Sequence, residues 1–429
     1  MHAKKDGASG AKLKASLSSL LLLSLLLLLI IPSQAVASVG SEARQRENPV
    51  IIMLLPASGE RARAGRQLFE AAQFAASEIA VDVELLDEGA DPEATLEALR
   101  DLEGRRDIAA IIGPLEERRS RVAARWAQEA AIPLIAYGSH EGIEKSGSWI
   151  YRGRPGAEEF GERLASFLAA EEIETLGVLG PRTDRGRARL ATVVRHVNEK
   201  GGRVTGYSTY DVGTSDFGPA LGVLVGTRVF VGPGRRIGSR RSDPFGTLPL
   251  NREPAPGFDA LLIDDHHEVV ARILPFLPRA GIQTGAGGAG RGVQLIGFAG
   301  WRGEGLRQAG AHGVGAIFFD TFGGISEGGQ AEEFAYRFQE RLDRMPTTAE
   351  AEIYDLVGMI GSGIQAIQPG ERWADAALSR LQVRRSYPGV TGSWSFTEEG
   401  APERYLRAFR VIDEGRWAPM MERPAGSTP

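Results

Sequence analysis

The chain has 429 residues, with 50 Lys and Arg against 55 Asp and Glu, a formal charge of −5 and no cysteine. Without cysteine there is no disulfide scaffold, thiolate metal site, cysteine nucleophile or lipid-modified N-terminal cysteine. The acidic balance gives no electrostatic footprint for nucleic acid, and the length suffices for two domains.

Lys4, Lys5, Lys12 and Lys14 precede an apolar run from Leu20 to Ile31, and Ala35-Val36-Ala37 follows. A basic stretch, a short apolar core and a small-x-small site read as a secretory signal peptide over residues 1–37, removed near Ala37-Ser38. The alternative is an uncleaved anchor, for which the apolar run is short. Cleavage removes four lysines and Asp6 and moves the formal charge from −5 to −8. The mature chain is expected in a periplasm, with no membrane span and no lipid tether.

From Val50 onward, short apolar strands alternate with helical stretches. "VIIMLL" (Val50–Leu55), "VELLD" (Val83–Asp87), "IAAIIG" (Ile108–Gly113) and "PLIAY" (Pro133–Tyr137) are separated by segments with apolar residues at helical spacing. Such near-continuous apolar strands predict a parallel sheet covered on both faces. The pattern restarts after "SWIYRG" (Ser148–Gly153) with "ETLGVLG" (Glu174–Gly180), "GRVTGYSTY" (Gly202–Tyr210), "FDALLID" (Phe258–Asp264), "VQLIGF" (Val293–Phe298) and "GVGAIFFD" (Gly313–Asp320). Residues 329–381 read as helical, and "VTGSWSF" (Val390–Phe396) and "RYLRAFRVID" (Arg404–Asp413) close the chain as strands. The segment 232–257, rich in Gly, Pro and Arg, reads as a mobile basic loop.

These elements predict two α/β lobes. The first comprises residues 38–152 and a helical part 323–387. The second comprises residues 153–322 and closing strands 388–420, with a tail 421–429. Crossings are expected near Arg152–Pro155, Asp320–Gly324 and Arg385–Gly389, which makes a hinge with a cleft between the lobes.

Several motifs match known chemistry only superficially. "GAGGAG" (Gly285–Gly290) has dinucleotide-fingerprint spacing, but a strand follows it where a helix is needed. Gly232-Pro233-Gly234 does follow a strand-like run, yet the proline and arginines beyond favour a loop over a phosphate cradle. His266-His267 would project about 100° apart on a helix, a poor geometry for one metal ion, and Asp265 is expected to cap that helix. No G-x-S-x-G elbow is present, which argues against hydrolase chemistry. No cofactor or metal site is expected. Arg61, Arg63 and Arg66 read as a solvated helix face, or alternatively as an attraction for an anion at the cleft mouth.

"LLPASGERARAG" (Leu54–Gly65), "LLDEGADPEATLEALRDL" (Leu85–Leu102), "IIGPL" (Ile111–Leu115), "AAIPLIAYGS" (Ala130–Ser139) and "GVTGSWSFTEEGAPER" (Gly389–Arg404), in this order, resemble the type I periplasmic binding proteins, in particular the leucine/isoleucine/valine-binding group. The resemblance runs from Val50 to about Trp417. It implies two Rossmann-like lobes with parallel-sheet cores, a three-crossing hinge, no enzymatic activity, a small-molecule ligand and an ABC permease as partner. A related branch, the activators of penicillin-binding proteins, shares the architecture, carries an insertion before a strand like "FDALLID", and would imply a penicillin-binding protein as partner.

The resemblance places ligand contacts at Ser58, Glu116, Arg118, Ser139, His140, Arg185, His266, Trp301 and Asp320. Where amino-acid binders offer a small hydroxyl residue, this chain has Glu116-Glu117-Arg118-Arg119, with Arg118 at the matched position. Arg185 and His266 stand where aromatics are usual. Ala299 stands where an acid usually receives the ligand ammonium, so a ligand lacking that group is expected, because a buried ammonium without an anion is costly. Arg118 and Arg185 either clamp an anion between the lobes, or the four charges pair with one another on an exposed helical turn.

Overall fold

The structure, a computed structural model, describes residues 48–79, 81–285, 292–383 and 385–420. The expected signal peptide, most of Gly285–Gly290 and the tail lie outside the described residues. Among the described residues no helix is long and apolar enough to cross a membrane.

The first lobe starts with β1 (Val50–Leu55), apolar and buried at all six positions. A strand covered on both faces has no solvent side to alternate with, and each large side chain so buried contributes roughly 1.5–3 kcal/mol. The chain continues through α1 (Ala62–Ala76), β2 (Asp82–Asp87), α2 (Pro92–Arg100), β3 (Ile108–Ile112), α3 (Glu117–Ala130), β4 (Leu134–Ala136) and β5 (Ile150–Arg152). Helix α2 begins where the Asp91 side chain accepts from the Ala94 amide, with Pro92 in the first turn. The five strands form a parallel sheet in the order β2-β1-β3-β4-β5. At the end of β3, a Cβ on Gly113 would lie 1.9 Å from the Leu54 carbonyl oxygen and φ is +114°, so glycine alone lets the chain turn out against β1.

The second lobe runs through α4 (Ala157–Ala170), β6 (Thr175–Pro181), α5 (Asp184–Glu199), β7 (Arg203–Tyr210) and α6 (Gly218–Leu224). The segment 232–257, read from sequence as a loop, supplies three short strands that form two antiparallel ladders, one of them with the strand just before it. β8 (Arg228–Phe230) pairs with β11 (Thr247–Pro249), and β9 (Arg236–Ile237) pairs with β10 (Arg240–Arg241) between them. Its few apolar residues hid the ladders, because backbone pairing and an Asp243 clasp hold them rather than a hydrophobic stripe. β12 (Ala260–Ile263), α7 (His267–Ile273), β13 (Gln294–Gly297), α8 (Glu304–Gln308) and β14 (Ile317–Asp320) complete this part.

Helices α9 (Gly329–Leu342), α10 (Thr348–Gln365) and α11 (Trp373–Gln382) return to the first lobe, where Phe334, Phe338, Ile353 and Leu356 share a core with Ile51 and Met53. A small antiparallel sheet follows: β15 (Tyr387–Gly389), β16 (Gly392–Phe396) and β17 (Pro402–Arg404). The sequence reading gave this stretch to the second lobe, with the third crossing at 385–389. The structure corrects this: Val390, Trp394 and Phe396 lie in the core of the first lobe, and Leu406 is the first of the following residues packed in the second. Burial of a tryptophan and a phenylalanine there outweighs any pull toward the later strands. β18 (Arg407–Asp413) and β19 (Arg416–Pro419) then add antiparallel strands to the second sheet, of order β19-β18-β14-β13-β12-β6-β7.

Candidate functional site

The four charges that open α3 are separated by the 100° step of the helix, and each has a different task. Glu116 is the N-cap and its carboxylate faces the Arg119 amide at 3.4 Å. Glu117 pairs with Arg121 one turn on; that bond chiefly holds its carboxyl below the usual range, with His140 and Arg185 adding to the effect. Arg118 is exposed and makes no ion pair among the described residues. Arg119 turns inward, where its guanidinium donates to fully buried Glu88 at 2.6 Å and to the Ala90 carbonyl at 2.6 Å. Glu88 also accepts from the Leu115 amide at 3.0 Å. The arginine with a buried task is therefore Arg119, one residue beyond the position that the sequence comparison singled out.

In the second lobe, Thr183 caps α5 by accepting from the Gly186 amide at 3.0 Å, which fixes the first turn that carries Arg185. The Arg185 guanidinium donates to Ser139 Oγ, in the loop after β4, at 2.7 Å. This bond joins the two lobes and brings two of the expected contacts together. Burial and the neighbouring Arg189 lower the Arg185 pKa. His140 beside it has Nε2 3.1 Å from the Leu115 carbonyl oxygen.

The acids at the strand ends are, by contrast, already engaged. Asp87 accepts from the Ala57 and Gly89 amides. Asp264 pairs with Arg189, although burial still raises its pKa. Asp265 accepts from the Tyr210 hydroxyl at 2.6 Å, and His266, not Asp265, occupies the N-cap of α7. Asp320 is fully buried, accepts from Thr348 Oγ1 at 2.8 Å and lies 3.4 Å from Arg302; burial raises its pKa.

A second polar centre joins the segments that link the lobes. Glu352, on α10, accepts from the Tyr137 hydroxyl at 2.8 Å and the Thr321 hydroxyl at 2.9 Å. It pairs with Arg154 at 2.9 Å and Arg404 at 2.8 Å. Burial alone would raise its pKa, but Arg154 and Arg404 bring it below the usual value. Arg154 follows β5, Thr321 follows β14 and Arg404 ends β17, so all three interlobe connections meet on one carboxylate.

The remaining expected contacts are scattered. Ser58 is exposed near Asp87, to which it hydrogen-bonds, and His266 is exposed. Trp301 belongs to the core: it is 0% exposed, its indole N–H donates to the Ile263 carbonyl at 3.0 Å, and its ring lies over Gly297. It has no surface to offer a ligand. Asp320 likewise serves Arg302 and the backbone of the second connection. Sequence reasoning missed Arg119, Glu88, Arg154, Glu352 and Arg404. The signal for Glu352 was present, since α10 is apolar nearly all round, and an acid embedded there must have a partner.

Residues 50–224 match the family described as periplasmic binding protein. A comparison with curated sequences finds no match. Among solved structures, the ABC transporter substrate-binding protein from Sphaerobacter thermophilus is 17% identical with a TM-score of 0.69, covering 88% of this chain and 97% of that one. A branched-chain amino acid transporter substrate-binding protein from Streptococcus pneumoniae, in complex with isoleucine, is 17% identical with a TM-score of 0.62, covering 87% and 99%. A solute-binding protein of an ABC transporter from Rhodopseudomonas palustris, in complex with 3,4-dihydroxybenzoic acid, is 15% identical with a TM-score of 0.66, covering 89% and 99%. At these identities the likeness is one of fold.

Proposed function

Because the chain has the fold of the type I periplasmic binding proteins and matches that family over residues 50–224, we propose that it is a non-enzymatic solute-binding protein. It captures a small ligand bearing a carboxylate or amide between its lobes and presents it to an ABC-type permease. The leader read at residues 1–37 supports export to the periplasm, with the mature chain beginning near Ser38. The relatives named above are transport proteins, which leaves contact with a penicillin-binding protein without support.

The observation that carries the ligand class is the imbalance of partners at the cleft. Arg185 has a neutral hydroxyl as its partner and no carboxylate within ion-pair distance among the described residues, whereas Asp264 and Asp320 each lie beside an arginine and Asp265 accepts from the Tyr210 hydroxyl. A carboxylate arriving there gains charge-assisted hydrogen bonds. An ammonium would meet Ala299 where the resemblance expects an acid, while Asp264 and Asp320 already lie beside arginines, and a buried ammonium without an anion costs several kcal/mol. Benzoate-like acids therefore suit this site better than the isoleucine held by the Streptococcus relative.

Calorimetry with benzoate and with leucine tests the reading. Benzoate should bind, and Arg185→Met should weaken it at least tenfold, since a hydrogen bond to a charged group contributes about 1.5–3 kcal/mol. Ala299→Glu should shift preference toward leucine. Tight leucine binding to the unaltered protein, with benzoate inert, would overturn the proposal for the ligand.

A further inference from the structure

A cavity of ≈ 330 Å³ opens in the second lobe at the edge strand β7. Its size falls within the roughly 300–1,000 Å³ of small-molecule sites. Tyr207 and Tyr210 of β7 line one side, Ala220 and Val223 of α6 another, and Phe230 and Phe245 of the inserted segment close over them. Arg185 and Ser139 are not among its lining residues, so it is separate from the interlobe contact.

The insertion is built to hold these aromatics. Asp243 accepts from the Thr247 amide and hydroxyl, each at 2.7 Å, and pairs with Arg228, which itself donates to Thr247 Oγ1 at 2.7 Å. A Cβ on Gly246 would lie 2.8 Å from the Gly232 carbonyl carbon, so the two arms of the insertion touch backbone to backbone. Two of the aromatic rings that line the cavity are exposed rather than packed into the core, Tyr207 by 42% and Phe230 by 50%. The charges at the rim are answered within the protein. Arg182 stacks over the Phe230 ring at 4.9 Å and lies 3.5 Å from Asp211. Arg187 pairs with Asp184, and Asp216 accepts from the Gly218 amide at 2.9 Å. Arg182 and Arg187 each have an acid beside them, so neither cation is left to select an anion, while aromatic faces line the space.

We propose that this cavity is an accessory binding site for an uncharged, planar aromatic molecule, stacked among Tyr207, Phe230 and Phe245. Ring pairs of this kind are favourable with centroids about 4.5–7 Å apart. Arg182, already over Phe230, adds a cation–π face. The site stands independently of the ligand assigned to the cleft.

Indole is the probe. Calorimetry and saturation-transfer NMR on the mature chain should show saturable binding at one site, weakened tenfold or more by Phe230→Ala and by Phe245→Ala. Phe230 is half exposed, so its removal should leave the melting temperature and benzoate binding in the cleft unchanged. Arg185→Met should leave indole affinity unaltered. The proposal is overturned if indole does not saturate, if it binds both alanine variants as tightly as the parent, or if benzoate displaces it with comparable affinity from the Arg185→Met protein.

Discussion

Replacing Glu352 with Gln should destabilise the protein by about 3–5 kcal/mol, the cost of leaving a buried ion without its partner. The carboxylate is 2% exposed and takes four partners between 2.8 and 2.9 Å: Tyr137, Thr321, Arg154 and Arg404. Glutamine keeps one accepting oxygen and turns an amide donor toward groups that are themselves donors. Most of the loss arises at Arg404, which is 1% exposed and packed 3.8 Å from the centre of the Trp394 ring. Arg154 keeps 36% of its side-chain surface, so water screens its share. Urea unfolding followed by Trp fluorescence measures the change, which should appear in the midpoint with the slope unaltered. Adding Arg404→Met removes the stranded cation, and the double variant should be more stable than the sum of the single losses by at least about 1 kcal/mol. A Glu352→Gln loss below about 1 kcal/mol, or strict additivity of the pair, would refute the reasoning.

Arg119→Met should cost about 2–3 kcal/mol, because fully buried Glu88 then keeps the Leu115 amide and the more distant Arg61 at 3.7 Å. Arg118→Met should stay within about 0.5 kcal/mol in the same unfolding assay, as befits an exposed side chain, and equal losses would refute the assignment of the two arginines. Asp355 should titrate near pH 6 by carboxyl-carbon NMR, since burial raises it to about 6 against the hydrogen bonds from Val390 and Thr391. Its folded pKa lies above the unfolded 3.8, so its contribution is most favourable below about pH 4 and is lost as the pH rises to about 6, a change of order 3 kcal/mol; a midpoint at or below 3.8 would contradict this.

The fold was legible wherever burial leaves a pattern in the sequence. Strands such as Val50–Leu55 and Ile108–Ile112 are apolar because both faces are covered, and this marks them directly. The third crossing was misplaced for a physical reason. Residues 387–404 alternate like edge strands, and nothing local says which lobe will bury Trp394 and Phe396. The polar site was less legible still. Adjacent arginines 118 and 119 are chemically alike, and only the helical phase relative to Glu88 sends one inward and the other to solvent. The convergence of Arg154, Thr321 and Arg404 on Glu352 joins residues up to 250 positions apart, a relation that no local pattern encodes.

In the proposed solute-binding role, the two polar centres divide the work of closing around a ligand. Glu352 has its full set of partners within the protein, so the three connections are pinned together whether or not a ligand is present. Relative motion of the lobes is then concentrated about that point rather than spread along the linkers. The Ser139–Arg185 bridge is of the opposite kind. It spans the lobes with one neutral acceptor and is worth on the order of 1 kcal/mol, too little to hold them shut alone. A carboxylate that contacts Arg185 while seated against the Ser139 loop replaces that bond with charge-assisted ones available only when the lobes are together. A ligand shifts such an equilibrium by its differential affinity for the two states, and here the difference rests on a single guanidinium. Arg185→Met should therefore abolish ligand-driven closure, measured as the change in radius of gyration on adding benzoate, while leaving the Glu352 centre intact and lowering the melting temperature of the free protein by no more than about 4 °C.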